Sequence, residues 1–197
     1  FQLERFVMQE HDLPERKFLQ LMMELKSMRD GFIGDIFEIE KMMQVVIETY
    51  GSEKLEIIDF GCGRGWLAKT LSVYGDVIGI EPVANVVKYA KTLYPGIEFE
   101  VGSIDKLLDK QADIIVASEV IEHFEENTKL KYFNAFNGAL KKNSFCIITT
   151  PRAEVQDEWL SYRKDKGQPI ENWLTEKQVY ELAISSGFEV ISKKILQ

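Results

Sequence analysis

Three glycines at alternate positions, Gly61, Gly63 and Gly65, follow the run Ile57-Ile58-Asp59-Phe60, and Trp66 opens an apolar helical pattern behind them. A buried strand that turns at once into a helix needs glycine where φ is positive. It needs glycine again where a ligand presses on bare backbone. The helix that follows offers unpaired N–H groups and a partial positive charge to that turn. Such a corner suits a nucleotide-like ligand. Glu81 ends the next strand-like run, about 20 residues after Gly61. A carboxylate at that separation can accept hydrogen bonds from both hydroxyls of a ribose.

The spacing separates candidate cofactors. A dinucleotide fingerprint reads G-x-G-x-x-G and sets a pyrophosphate on the helix N-terminus. Here the pattern is G-x-G-x-G, preceded by Asp59. An acid beside the turn repels a pyrophosphate but attracts an amino group and a sulfonium. That points away from NAD and toward S-adenosylmethionine. The G-x-x-x-x-G-K-[ST] spacing of a P-loop is absent. A second cluster, Glu122-His123, stands where a fourth strand would open. Its histidine could act as a general base with a pKa near neutrality.

The surrounding pattern supplies the elements that must hold these residues. After Gly51, strand-like runs alternate with helical ones: Leu55–Phe60, Val77–Ile80, Ile97–Val101, Asp113–Ala117, Phe145–Thr150 and Phe188–Ile195 read as strands. Trp66–Tyr74, Val83–Leu93, Glu126–Leu140 and Thr175–Ser186 read as the helices between them. Alternation of this kind predicts right-handed crossovers and a mainly parallel, doubly wound sheet with helices on both faces. Ligands bind such sheets outside the carboxyl ends of the strands, which is where the glycine corner lies. Upstream, Asp12, Pro14 and Glu15 fit the start of a helix over 12–29, with Phe18, Leu21, Met22, Leu25 and Met28 on one face. Ile36, Ile39, Met43 and Ile47 mark a second. These predict an N-terminal helical cap over 1–50 beside a single compact unit over 51–197. The methionines read first as core, although flexible methionines also suit a lid.

Composition sets the outer bounds. The chain has 197 residues, 45% hydrophobic and 28% charged, in the ordinary range for one globular domain. A formal charge of −8 argues against a nucleic-acid surface, which wants a basic face. No apolar run reaches the roughly 20 residues of a membrane span, and no signal-peptide pattern opens the sequence, so the expected place is the cytoplasm. Cys62 and Cys146 lack partners at metal-ligand spacing, and two histidines leave no zinc site, so no metal is expected.

The sequence resembles the class I S-adenosylmethionine-dependent methyltransferases, most closely the small-molecule group that includes ubiquinone-biosynthesis O-methyltransferases. The resemblance rests on Ile57–Gly65, Ile78–Pro82, ASEVIEHF (117–124), ALKKNSFCIITTP (139–151) and LTEKQVYELAISSGFEV (174–190), which span most of 55–195. It implies the class I Rossmann-like fold and binding of S-adenosylmethionine, with S-adenosylhomocysteine as product. Gly61, Cys62 and Gly63 would pack on the methionine portion, with Asp59 near its amino group. Glu81 would hold the ribose, Pro82 lie beside the adenine, and Ser103 and Ile104 border that ring. Relatives often carry aspartate at the Ser103 position, and serine accepts more weakly. Ser118 and Glu119 would border the methyl donor. His123 is weighed more as an organiser of its loop than as a base, because relatives with unlike substrates share the pair. The family's sheet also carries a seventh, antiparallel strand beside the sixth. No such run follows 195, so either it is missing or another segment covers that edge.

The reading expected from all this is methyl transfer to an oxygen, nitrogen or carbon of a small molecule. Trp159, Tyr162 and Trp173, in the long stretch 152–174, are candidate substrate contacts. A non-catalytic S-adenosylmethionine-binding module and an NAD-linked oxidoreductase stand as alternatives. The first differs only in lacking turnover, and the second is disfavoured by the glycine spacing.

Overall fold

Leu55–Phe60 forms β2, an interior strand of a seven-stranded sheet, and nearly every residue of it is buried. The computed structural model describes residues 17–24, 39–44, 46–48, 54–157, 161 and 169–196, giving the backbone alone over 17–24 and 192–196. The other strands are β1 Lys17–Glu24, β3 Gly75–Glu81, β4 Glu98–Val101, β5 Ala112–Ser118, β6 Leu140–Pro151 and β7 Phe188–Leu196. Their order is β4-β3-β2-β5-β6-β1-β7, and every neighbouring pair is parallel.

Strand periodicity divides the core into two layers. Leu55, Ile57, Ile114, Val116, Phe145 and Ile147 face one way and pack with Ile39, Met42, Met43 and Val46 of the helical residues 39–44 and 46–48 (α1). Leu67 and Leu71 of α2 (Trp66–Leu71) and Val87 of α3 (Ala84–Leu93) complete that layer. Ile58, Phe60, Ile115, Ala117, Cys146 and Ile148 face the other way, against Phe133 and Phe136 of α4 (Lys129–Ala139) and Val179 and Ala183 of α5 (Glu176–Ser185). Helices thus cover both faces, as the alternating pattern predicts. Thr175 and Gln178 close a capping box at the start of α5, and Gly187, at φ 81°, follows its end.

Two segments differ from the sequence reading. Residues 17–24, expected within a helix over 12–29, form β1; the remainder of that helix lies outside the described residues. The run Phe18-Leu19-Gln20-Leu21-Met22-Met23 is apolar enough to be buried on both sides, and periodicity over so short a run does not separate strand from helix. β1 pairs with β6 (Phe18 with Phe145) and with β7 (Lys17 with Phe188). It therefore fills, in parallel, the place beside the last strand where an antiparallel one was expected. β6 also begins earlier than Phe145. The polar stretch Lys141–Ser144 belongs to it, with Asn143 at φ 58° and a register shift against Ala112–Ile114. A bulge, not a turn, absorbs those polar residues.

Candidate active site

The chain runs β2, β3, β4 toward one edge and then returns to place β5 on the other side of β2. The carboxyl ends of β2 and β5 flank this reversal, and a pocket of about 150 Å³ opens between them. Asp59, Gly61, Cys62, Gly63, Trp66, Leu67, Ser118 and Glu119 line it. Six of the sequence candidates, four from the β2 side and two from the β5 side, thus share one wall. The volume is small against the roughly 300–1,000 Å³ of ligand sites, so it holds one end of a ligand. A wider open groove, about 1000 Å³, lies at the amino ends of the strands, between residues such as Lys54, Asp76, Glu98 and Asp109. It gathers none of the candidates.

The three glycines do different work. Gly61, Gly63 and Gly65 have φ of 77°, 51° and 81°. A Cβ on Gly61 would collide with Val120, and one on Gly65 would stand 2.5 Å from Cζ of Phe99. Over Gly63 nothing lies within 4 Å. The outer glycines let the corner pack on its own protein, and the middle one leaves room.

Asp59 is 1% exposed. It accepts a hydrogen bond from the Ala68 backbone N–H in the first turn of α2, while Oδ2 has no partner among the described residues. Burial, with a further push from the Glu81 charge, raises its carboxyl to about 7. The helix terminus is therefore capped from within and not left open for a phosphate. Cys62 is buried, and desolvation, with Asp59 and Glu81 nearby, pushes its thiol far above its usual range. It is a packing residue with no nucleophilic character.

Glu81 Oε2 accepts from Gly63 N–H at 3.3 Å and Oε1 from Val83 N–H at 2.9 Å. Those two bonds fix the carboxylate across the mouth of the corner. Pro82 beside it is exposed. Ser103, beyond the end of β4, takes Asp105 Oδ1 on its N–H at 2.8 Å and shares a 3.3 Å hydroxyl contact with Tyr132. Ser103 and Ile104 are half-buried and lie outside the pocket wall.

At the end of β5, Ser118 Oγ lies 2.9 Å from Thr149 Oγ1, and Glu119 takes a left-handed φ of 55°. Beyond it a polar clasp joins two loops. Thr150 Oγ1 donates to the buried Glu122 at 3.1 Å, and Asn172 N–H donates to the Glu122 carbonyl at 2.8 Å. Lys129, fully buried, donates to the carbonyls of Ile121 (2.6 Å) and Asn172 (3.0 Å); burial pulls its ammonium down to about 8 against the opposing pull of Glu126 and Glu122. His123 Nδ1 stands 3.0 Å from the Ile170 carbonyl, which can only accept, so the proton sits on Nδ1 and Nε2 faces Glu122 Oε1 at 3.9 Å. Trp173 is buried and donates to Glu171 Oε2 at 2.7 Å, away from the pocket wall. Trp159 and Tyr162 lie outside the described residues. Trp66, Leu67 and Thr149 were not among the sequence candidates. Trp66 and Leu67 follow the glycines in a helical run that spacing reads as core, and a threonine late in a strand carries no signal at all.

The pocket wall carries acids and no basic side chain. With an unpartnered Asp59 oxygen and open space over Gly63, it fits the ammonium end of a cationic ligand and does not fit a diphosphate. A model of the methyltransferase domain matches residues 36–193, most of the chain. The chain belongs to that family. Among relatives of this methyltransferase domain, a ubiquinone biosynthesis O-methyltransferase of Rickettsia felis is 32% identical over 134 residues, covering 62% of this chain and 54% of that protein. Its counterpart in Rickettsia canadensis is 27% identical over 183 residues, covering 82% and 77%. The chain spans about half the length of several of the curated relatives it matches. Among solved structures, the plantazolicin methyltransferase BpumL in complex with SAH superposes at a TM-score of 0.65 with 18% identity, covering 80% of this chain and 65% of that one. A SAM-dependent methyltransferase from Archaeoglobus fulgidus gives 0.62 with 16% identity, covering 82% and 73%. At these identities the likeness establishes the fold. Among the described residues of the methyltransferase domain, no helix is long and apolar enough to cross a membrane, and no group of three or more potential metal ligands gathers.

Proposed function

We propose that this chain binds S-adenosylmethionine at the corner between β2 and β5 and transfers its methyl group to a small molecule. The observation that carries the reading is the wall around Gly63, whose charged side chains are both acids and where bare backbone and an unpartnered buried carboxylate oxygen stand together. S-adenosylmethionine, when bound, supplies a methyl group on a positive sulfur that departs readily as a thioether. Asp59 then accepts from the ligand's amino group, and the open face of Gly63 lets the aliphatic portion lie against backbone. Glu81, oriented by Gly63 and Val83, keeps carboxylate lone pairs for the ribose hydroxyls. Pro82, Ser103 and Ile104 flank the adenine, and Ser118 and Glu119 border the methyl group. Gly61 and Cys62 support this surface from behind.

The remaining task is alignment of donor and acceptor, and positioning of that kind supplies on the order of 7–11 kcal/mol of a barrier. It leaves no obligatory base. His123 holds Ile170 through its protonated nitrogen and serves the loop, which agrees with an organising role. Trp173, buried and bonded to Glu171, stands off the pocket wall and serves the same loop. Calorimetry with S-adenosylhomocysteine, followed by transfer of labelled methyl into a metabolite extract, tests the reading. Tight binding with a labelled small product is expected. Binding without product would leave the non-catalytic module, and preferential nicotinamide binding would overturn the proposal.

A further inference from the structure

Glu119 adopts a left-handed backbone conformation that side chains other than glycine, asparagine and aspartate rarely take. Something must hold it there. Its N–H donates to the Thr149 carbonyl at 3.0 Å and stands 3.2 Å from Thr149 Oγ1, and the same hydroxyl reaches Glu119 Oε1 at 3.4 Å and Ser118 Oγ at 2.9 Å. Thr149 is 0% exposed, at the end of β6 directly beside β5, with Ser118 and Thr149 in register. The turn at Glu119 brings Val120 over Gly61 so closely that Gly61 has no room for a Cβ. One buried hydroxyl therefore couples the β5 wall of the pocket to its glycine wall.

We propose that Thr149 is a positioning residue: its hydroxyl, and not its bulk, sets the Ser118–Glu119 wall against the glycine corner and so determines how tightly the pocket grips its ligand. This rests on the reading of the pocket as an S-adenosylmethionine site. Thr149 does not line the pocket itself. It acts through Glu119 and Ser118.

Thr149→Val replaces the hydroxyl by a methyl group of similar size, and Thr149→Ser keeps the hydroxyl while losing the methyl. Calorimetry with S-adenosylhomocysteine should show at least a tenfold loss of affinity for Thr149→Val and less than a threefold change for Thr149→Ser. Thr149→Ala, which also lacks the hydroxyl, should follow Thr149→Val. A lowered melting temperature with unchanged affinity in the hydroxyl-free variants would overturn the proposal, and so would loss of affinity in Thr149→Ser. Failure of both hydroxyl-free variants to fold would also overturn it, marking the hydroxyl as a folding requirement. Absence of binding by the wild type is a separate outcome that strikes the reading of the site.

Discussion

Burial and the Glu81 charge lift the Asp59 carboxyl from an ordinary 3.8 to about 7. A folded-state value above the unfolded one means that the native protein holds a proton the unfolded chain releases. The folding advantage is complete below pH 4 and drains away as pH climbs toward 7, by about 4 kcal/mol at most. Asp59→Asn keeps an acceptor for the Ala68 N–H without the titration. Its melting temperature should gain on the wild type between pH 4 and pH 7, then hold a constant lead. Ligand binding should run the other way. A cationic amino group favours the ionised acid, so wild-type affinity for S-adenosylhomocysteine should rise through pH 7 while that of Asp59→Asn stays flat. Glu81 gives a simpler expectation. Glu81→Ala removes two backbone-oriented oxygens and should weaken binding by roughly 1–3 kcal/mol, read by calorimetry; unchanged affinity would take Glu81 out of the site.

The turn between β2 and α2 separates stability from binding within five residues. In Gly65→Ala the new Cβ meets Phe99 in a left-handed backbone, so about 2–4 kcal/mol of stability should be lost. Gly63→Ala meets nothing of the protein and should lose only about 1 kcal/mol from its backbone conformation. Its ligand affinity should nonetheless fall at least tenfold, because the methyl would occupy the space over Gly63. Urea unfolding and calorimetry on the two variants check the contrast; equal binding by Gly63→Ala and wild type would show that this space is not the ligand's. The sequence carries the turn clearly, since positive φ and close approach leave glycine as the residue that fits. It carries the clasp of Glu122, His123 and Lys129 poorly. A buried lysine bonded to two distant carbonyls looks like any helical surface lysine until the loop around Asn172 is in place.

Across the molecule, the sheet from β2 to β6 was legible because glycine, acid and β-branched runs alternate with helical ones on local grounds. The place of β1 was not. Its apolar run suits either element, and only the gap between β6 and β7 decides it. Leu21, opposite Ile148 and Lys193, sits mid-strand with neighbours on both sides. Leu21→Pro cannot keep that ladder and should cost about 3 kcal/mol or more. A urea midpoint equal to that of the wild type would remove β1 from the sheet.

Such a placement has a kinetic corollary. As the chain leaves the ribosome, Lys17–Glu24 is made early, yet Phe18 must wait for Phe145 and Lys17 for Phe188 before either flank is covered. Contacts so remote in sequence slow folding, and an unpaired apolar strand invites capture by other chains in the interval. Newly made chains therefore stay open to such capture until β6 and β7 have formed on either side of β1.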